Sequence, residues 1–350
     1  MTKIINSLKI SLLIVGAIIG AGFITGREIM RFFYGSNPIF SFIVVFVLFF
    51  ALIFFFFSVK SKVLLDIISK GSFLIYFFNV LIMASMLGAT DSLAKNLFNI
   101  DEKLPVFSIL LLLLSTAVTF GGIEKVEIVN VVLVPFMLFI FFLSIFSVEN
   151  KQLNLAYGDY SVVNKIGYVT MNVFLCQPFL QKVKKEKEKF SPFLVAIISA
   201  IILSLAIFAL ISVLSKECIS CDIPLILLIN GNKYLIFLLS VVIIASIFTT
   251  LVSLQYSYLI KINEKSNYLI IIAVSVIAFI ISRMGFFVIV DKIYPIIAKI
   301  SAFYYAFIIA ISLIISLKEQ RKRTLAQPRH TKSKYSSLQG RVLKPAHRKQ

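Results

Sequence analysis

Histidine is scarce in this sequence, and both copies, His330 and His347, lie near its end. The body of the chain therefore has no imidazole metal ligands and no imidazole proton relay. Cysteine is scarce as well. Cys218 and Cys221 form a C-x-x-C and Cys176 stands alone, so there is no second ligand pair for a zinc site. Charge is thin: 15% of residues are Asp, Glu, Lys or Arg, against about 25% in a soluble domain. A chain with so little polar surface cannot cover a core in water. Also missing are an H-E-x-x-H, a G-x-S-x-G and any pair of intramembrane aspartates, which argues against a membrane-embedded enzyme. The chain shows no repeated polar helix face of the kind that lines a channel.

What is present is apolar length. Hydrophobic residues make up 59% of the chain. Leu, Ile, Val and Phe fill runs of roughly 20 residues, enough to cross about 30 Å of hydrocarbon as a helix. Inside a bilayer each backbone N–H and C=O needs an internal partner, so such runs must be helical. A barrel would show short alternating segments instead. The fold class expected is an all-α membrane protein of about ten spans, near 8–33, 39–59, 72–97, 104–120, 126–147, 162–180, 191–214, 234–259, 268–283 and 296–317. Lys3 and Lys9 precede the first run, and no small-residue cleavage site ends it, so it is expected to be a spanning helix.

The net charge of +19 does not point to nucleic acid. Residues 318–350 hold eleven Lys/Arg and one Glu, so +10 of the +19 sits at one end. With both termini placed in the cytoplasm, the inner side has 24 Lys/Arg against 7 Asp/Glu and the outer side 11 against 9. The short basic loop Lys182–Lys189 is the strongest single signal for that orientation. The partners expected are the lipid bilayer and a small-molecule solute. The oligomeric state is not legible. Residues 1–318 are expected to form the membrane domain, and 319–350 a basic, disordered cytoplasmic tail.

The first span is unusual. It carries glycines at 16, 20, 22 and 26, then Arg27, Glu28 and Arg31. Glycine costs about 0.8–1 kcal/mol in a helix interior relative to Ala, so this stretch is easy to unwind. A broken membrane helix exposes N–H groups that suit a carboxylate and carbonyls that suit a cation. Thr25 adds a hydroxyl, and Glu28 is placed to bind a cationic group or to carry a proton. The alternative is close packing, because Gly16-x-x-x-Gly20 and Gly22-x-x-x-Gly26 match the small-residue contact pattern. In the sixth span Pro178 frees a carbonyl near residue 174, with Asn172 and Gln177 nearby. Asn172 is read either as a solute contact or as interhelical glue. Breaks in the first span of each half would mark a transporter site built from inverted repeats, about 8–147 and 162–317. In the eighth span Thr249, Thr250 and Ser253 offer hydroxyls to a hard cation such as Na⁺, or simply bond back to their own helix. Asp91 reads as solvated, and Asp291 as part of the hinge into the last span.

The run Gly20-Ala-Gly-Phe-Ile-Thr-Gly-Arg-Glu-Ile29, followed by Phe32 and Phe33, resembles the opening helix of the YkvI-type bacterial membrane proteins. These are grouped with the amino acid–polyamine–organocation (APC) superfamily, and their first helix reads close to G-A-G-F-A-S-G-Q-E-I. Tyr168-x-x-x-Asn172 is similar to their sixth span. The resemblance implies a leucine-transporter-type (LeuT-like) fold: two five-helix inverted repeats, with helices 1 and 6 discontinuous. It implies a substrate site at Gly20, Ala21, Gly22, Phe23, Thr25, Gly26 and Asn172. It also implies a Na⁺ site between spans 1 and 8, at Gly20, Thr249, Thr250 and Ser253. The function that follows is Na⁺- or H⁺-coupled secondary transport of an amino acid or similar zwitterion across a bacterial plasma membrane, with a non-transporting receptor as the alternative. No cofactor beyond Na⁺ is implied. Arg27 stands where the family has Gln, and could neutralise Glu28.

Overall fold

The computed structural model describes residues 2–59, 61–98, 105–148, 161–187, 189–214, 221, 223–229, 232–259 and 264–326. Cys218, both histidines and the end of the tail lie outside them. The chain divides into two units, Met1–Tyr305 and Ala306–Gln350.

All regular structure among the described residues is helical. The order is α1 (Thr2–Ile18), α2 (Ala21–Ile24), α3 (Arg27–Phe33), α4 (Pro38–Ser58), α5 (Lys62–Phe98), α6 (Val106–Phe120) and α7 (Gly122–Phe146). Then come α8 (Val163–Glu186), α9 (Pro192–Ile211), α10 (Pro224–Leu228), α11 (Lys233–Ser257), α12 (Glu264–Ser282), α13 (Phe286–Val288) and α14 (Tyr294–Ala326). A π-helical turn, Ile289–Ile293, joins α13 to α14. Among the described residues six helices are long and apolar enough to cross a membrane: Pro38–Ser58, Phe73–Lys95, Gly122–Phe146, Pro192–Ile211, Lys233–Ser257 and Phe286–Lys318. Two further apolar helices, Val106–Phe120 and Tyr268–Ser282, are shorter.

The outer faces identify the solvent. On α4, Ile39, Ile43, Val47 and Phe54 are exposed, and on α12 so are Leu269, Ile272, Val276 and Ile280. A helix in water would put charge on those faces. Large apolar side chains there belong against lipid, and the chain is a multi-pass helical membrane protein.

Local sequence explains the helix starts. The Asn37 side-chain oxygen accepts the Phe40 N–H at 3.0 Å, with Pro38 in the first turn of α4. Asn232 caps α11 through the Leu235 N–H at 3.1 Å. Phe42, Phe46, Phe50 and Phe54 recur every four residues, so their rings stack along one face of α4 at 6.3, 6.3 and 5.8 Å. Phe193 and Phe208 of α9 meet that ladder edge-on, at 5.7 Å from Phe50 and 6.1 Å from Phe42. Such aromatic pairs contribute about 0.5–1.5 kcal/mol each beyond burial.

Two expectations change. α8 is continuous from Val163 to Glu186, with Pro178 inside it. The sixth span is therefore not discontinuous. Proline removes one hydrogen bond, but Gly167 is the only glycine in α8, and nothing else there favours unwinding. At the other end of the chain, α14 runs to Ala326, eight residues into the expected tail. The residues Glu319–Ala326 lack Gly and Pro and are mostly good helix formers.

Ion pairs gather at two ends of the helix bundle. At one, Glu127 pairs with Lys9 at 2.9 Å and with Lys187. At the other, Arg27 pairs with Asp291 at 2.5 Å, and Arg283 with Asp91. Asp91 is thus buried and paired rather than solvated. Its carboxylate sits below the bundle surface, where pairing with a guanidinium offsets the cost of burying the charge.

Candidate functional site

The first span is broken twice. After Ile18 the backbone leaves the helix, and Gly20 is extended at φ −96°, ψ −172°. After one turn of α2 it breaks again at Gly26, whose φ of +82° lies in the left-handed region that favours glycine. The other glycines are places of close approach. A Cβ at Gly22 would lie 2.6 Å from Cγ of Glu28 and 2.7 Å from its Cδ. A Cβ at Gly20 would lie 3.1 Å from the Met86 sulfur and 3.3 Å from the Thr250 hydroxyl. A Cβ at Gly16 would strike the Asn130 side-chain oxygen and lie 2.8 Å from Val134. Gly16 thus serves helix contact, while Gly20, Gly22 and Gly26 serve the break.

The break frees backbone groups. The first N–H groups of α2 have no partner inside that turn, and the Ala21 N–H finds only the Met86 sulfur, at 3.4 Å. At the end of α1 the Gly16 carbonyl accepts the Thr250 hydroxyl at 3.3 Å.

Beside these groups lies a cavity of about 20 Å³. Its walls come from six parts of the fold. Ala17, Ile18 and Gly20 supply the end of α1 and the break that follows it, and Glu28 the start of α3. Met86 comes from α5, Asn172 and Cys176 from α8, Thr250 from α11 and Tyr294 from the start of α14. The volume suits about one water or a small ion.

Glu28 is buried at 4% exposure. The Tyr168 hydroxyl donates to its carboxylate at 3.4 Å. Tyr168 is held by Phe32 and Phe33, with ring centroids 5.4 and 5.1 Å away. Arg27 does not neutralise Glu28. Successive residues on a helix point about 100° apart, and the Arg27 guanidinium goes instead to Asp291, at 2.5 Å, and to the Cys221 carbonyl, at 3.2 Å. It also lies 3.9 Å above the Phe287 ring. No Lys, Arg or His lines the cavity among the described residues.

The structure brings Gly20, Glu28, Asn172 and Thr250 to one cavity, with Ala21 and Gly22 directly behind it. Other candidate residues face elsewhere. Phe23 packs on Phe141, centroids 6.2 Å apart. The Thr25 hydroxyl bonds locally, to the Gly22 carbonyl at 3.4 Å, and its own carbonyl accepts the Leu225 N–H at 3.0 Å. Gly26 faces Leu214 and Pro224. The Thr249 and Ser253 hydroxyls return to their own helix, donating to Ser246 O at 3.1 Å and Thr249 O at 2.8 Å. Only the third hydroxyl, that of Thr250, crosses to the first span. Asn172 lines the cavity, and its amide N–H donates to Tyr168 O of its own helix at 2.9 Å, a bond that does not tie two helices together.

Some residues gave no signal of their own in the sequence. Met86 read as an ordinary residue of the third span and Tyr294 as part of the entry into the last span, yet both reach the cavity. Tyr294 is tied to Ser85 by a hydrogen bond of 2.9 Å. Asp291 was a hinge residue by sequence and is an ion-pair partner in the fold.

The two ends of the bundle differ. Around the Arg27–Asp291 pair is a pocket of about 660 Å³ that also includes Arg31, Tyr34, Asn164 and Phe287. Toward the end that carries Lys9 and Lys187, the helices are tied in several layers. Gln177 donates to the Tyr304 hydroxyl at 2.8 Å and accepts from Tyr305 at 3.3 Å. Tyr256 donates to Glu186 at 2.5 Å, and Tyr258 to the Tyr76 carbonyl at 2.5 Å.

No protein-family model matches the chain, and no curated protein matches it in sequence. Nineteen chains of solved structures match it. One is the crystal structure of the Eremococcus coleocola manganese transporter in complex with an aromatic bis-isothiourea substituted compound. It is 17% identical, the match covers 91% of this chain and 72% of that one, and the TM-score is 0.40. A likeness that loose carries neither cargo nor mechanism across.

Proposed function

We propose that the protein is a secondary transporter that moves a small amino acid or similar zwitterion across a bacterial plasma membrane by alternating access. The observation that carries this reading is the small cavity at the unwound turn of the first span, where freed peptide groups and the Glu28 carboxylate meet. A broken helix facing a cavity inside a membrane bundle is what a solute-binding carrier requires. In this reading the ten spans form two five-helix halves of inverted topology, with both termini cytoplasmic.

The solute's carboxylate would take the N–H groups of Ala21, Gly22 and Phe23, at the positive end of α2. Its ammonium would take Glu28, with Asn172 on the facing wall. Na⁺ would sit between the Thr250 hydroxyl and the carbonyls at the end of α1, replacing the Thr250 bond to Gly16 O. Such oxygen ligands suit a hard cation. If protons drive transport, Glu28 is the carrier. The Arg27–Asp291 pair closes the outer approach and the tyrosine layers close the inner one.

Uptake of labelled amino acids into proteoliposomes, with Na⁺ or K⁺ outside, tests the proposal. Accumulation above the equilibrium level supports it. Saturable binding without accumulation would instead make this a receptor, and an absence of binding across all twenty amino acids would remove the zwitterion.

A further inference from the structure

The cavity holds about 20 Å³, room for about one water, and even the smallest amino acid, with its ammonium, carboxylate and a carbon between them, is larger. If the site binds a zwitterion, some wall must leave. Most walls are pinned: Thr250 to Gly16 O at 3.3 Å, Asn172 to Tyr168 O at 2.9 Å, Tyr294 to Ser85 at 2.9 Å. Ile82, Leu175 and Leu254 are branched and packed.

Met86 differs from all of these, and from Met171, the other methionine of the lining, in that its sulfur meets a freed backbone N–H. It is unbranched, and methionine re-packs easily because its side chain has three soft torsions. Its sulfur sits where a solute's carboxylate would bind, 3.4 Å from the Ala21 N–H. The position of a Cβ at Gly20 is only 3.1 Å from both its sulfur and its methyl carbon. Met86 therefore fills the space just above the open end of α2.

We propose that Met86 occupies the solute's place in the empty carrier and, when swung aside, sets the largest solute the site accepts. This inference rests on the transporter reading above. Without a solute, the thioether gives the Ala21 N–H an acceptor that it would otherwise lack, which lowers the cost of burying that group. A carboxylate is the stronger acceptor, because a charged partner roughly doubles the strength of such a bond. Binding is then an exchange, sulfur for carboxylate, and the displaced side chain becomes one wall of the enlarged site.

The test is a thermal-shift and uptake series with all twenty amino acids on wild type, Met86→Ala and Met86→Leu. Met86→Ala is expected to accept amino acids larger than any wild type takes, with an affinity gain of about tenfold or more for a side chain extended by a methylene or two. Met86→Leu keeps the bulk but branches the side chain, and is expected to accept nothing larger than wild type does and to bind the wild-type solutes more weakly. If the alanine variant does not reach the membrane, Met86→Val is used, with a smaller shift in the same direction. An unchanged size range in Met86→Ala or Met86→Val, with wild type binding normally, overturns the role of Met86. The same widening in Met86→Leu also overturns it, since bulk would then not be the cause. If no amino acid stabilises or enters with wild type, the zwitterion reading fails first and takes this inference with it.

Discussion

The α1–α3 segment and α8 pack against one another, yet they carry strain differently. The first leaves the helix at residues 19–20 and again at 25–26, whereas the second stays helical past Asn172 and Pro178. The difference lies in how many backbone bonds each sequence gives up. Three glycines within seven residues make a whole turn cheap to unwind and leave room for neighbours to close in. One proline deletes one bond in a helix that is otherwise well formed. So the broken element presents peptide groups to the cavity, while α8 presents side chains, Asn172 among them. The site is asymmetric: one wall is backbone and the facing wall is a helix surface.

That contrast can be broken or sharpened by substitution. The largest effect should come from Gly22→Leu. A side chain there would drive into Glu28, so uptake should be lost while the protein still reaches the membrane at normal level. Normal transport in this variant would mean that no solute passes the α2 turn. Glu28→Gln comes next. It keeps the shape but removes the charge, and a charge-assisted hydrogen bond is worth about 1.5–3 kcal/mol, so affinity should fall by roughly ten- to a hundredfold. Titration calorimetry reads this directly, and unchanged affinity would move the ammonium elsewhere. Thr250→Ala removes one hydroxyl at the joint between the first span and α11. If Na⁺ drives transport, the Na⁺ concentration for half-maximal uptake should rise by about three- to tenfold, the range set by one lost hydrogen-bond-sized interaction. With proton coupling that concentration would not enter at all. Pro178→Ala should do least. Restoring one bond in a helix that is already continuous should raise the unfolding temperature and leave uptake within about twofold, since proline costs roughly 3 kcal/mol in a helix interior. A large loss of uptake would show that α8 unwinds during the cycle after all.

Much of the architecture could be read before folding. Runs of about 20 apolar residues can exist in a bilayer only as helices. Some of their starts are marked by Asn37 and Asn232, which cap a helix through a side-chain bond, and by Pro38 and Pro192, which stand in a first turn. The break in the first span was legible for the same reason: backbone cost is a local property, and Gly20, Gly22 and Gly26 advertise it. The partners that meet the break were not legible. Thr249, Thr250 and Ser253 offer the same chemistry, and only their angle around α11 separates the one hydroxyl that crosses to α1 from the two that turn back.

Composition and spacing thus determined that the chain lives in lipid, that it is helical, and that its first span gives way near Gly20. Tertiary packing alone decided that α8 stays whole and that Arg27 turns to Asp291 and away from Glu28. It also decided that Met86, from a helix more than sixty residues away, covers the freed Ala21 N–H. The reason is physical: helix propensity and lipid solubility are summed along the chain, whereas ion pairs, cavities and sulfur contacts depend on which faces of distant helices are brought together.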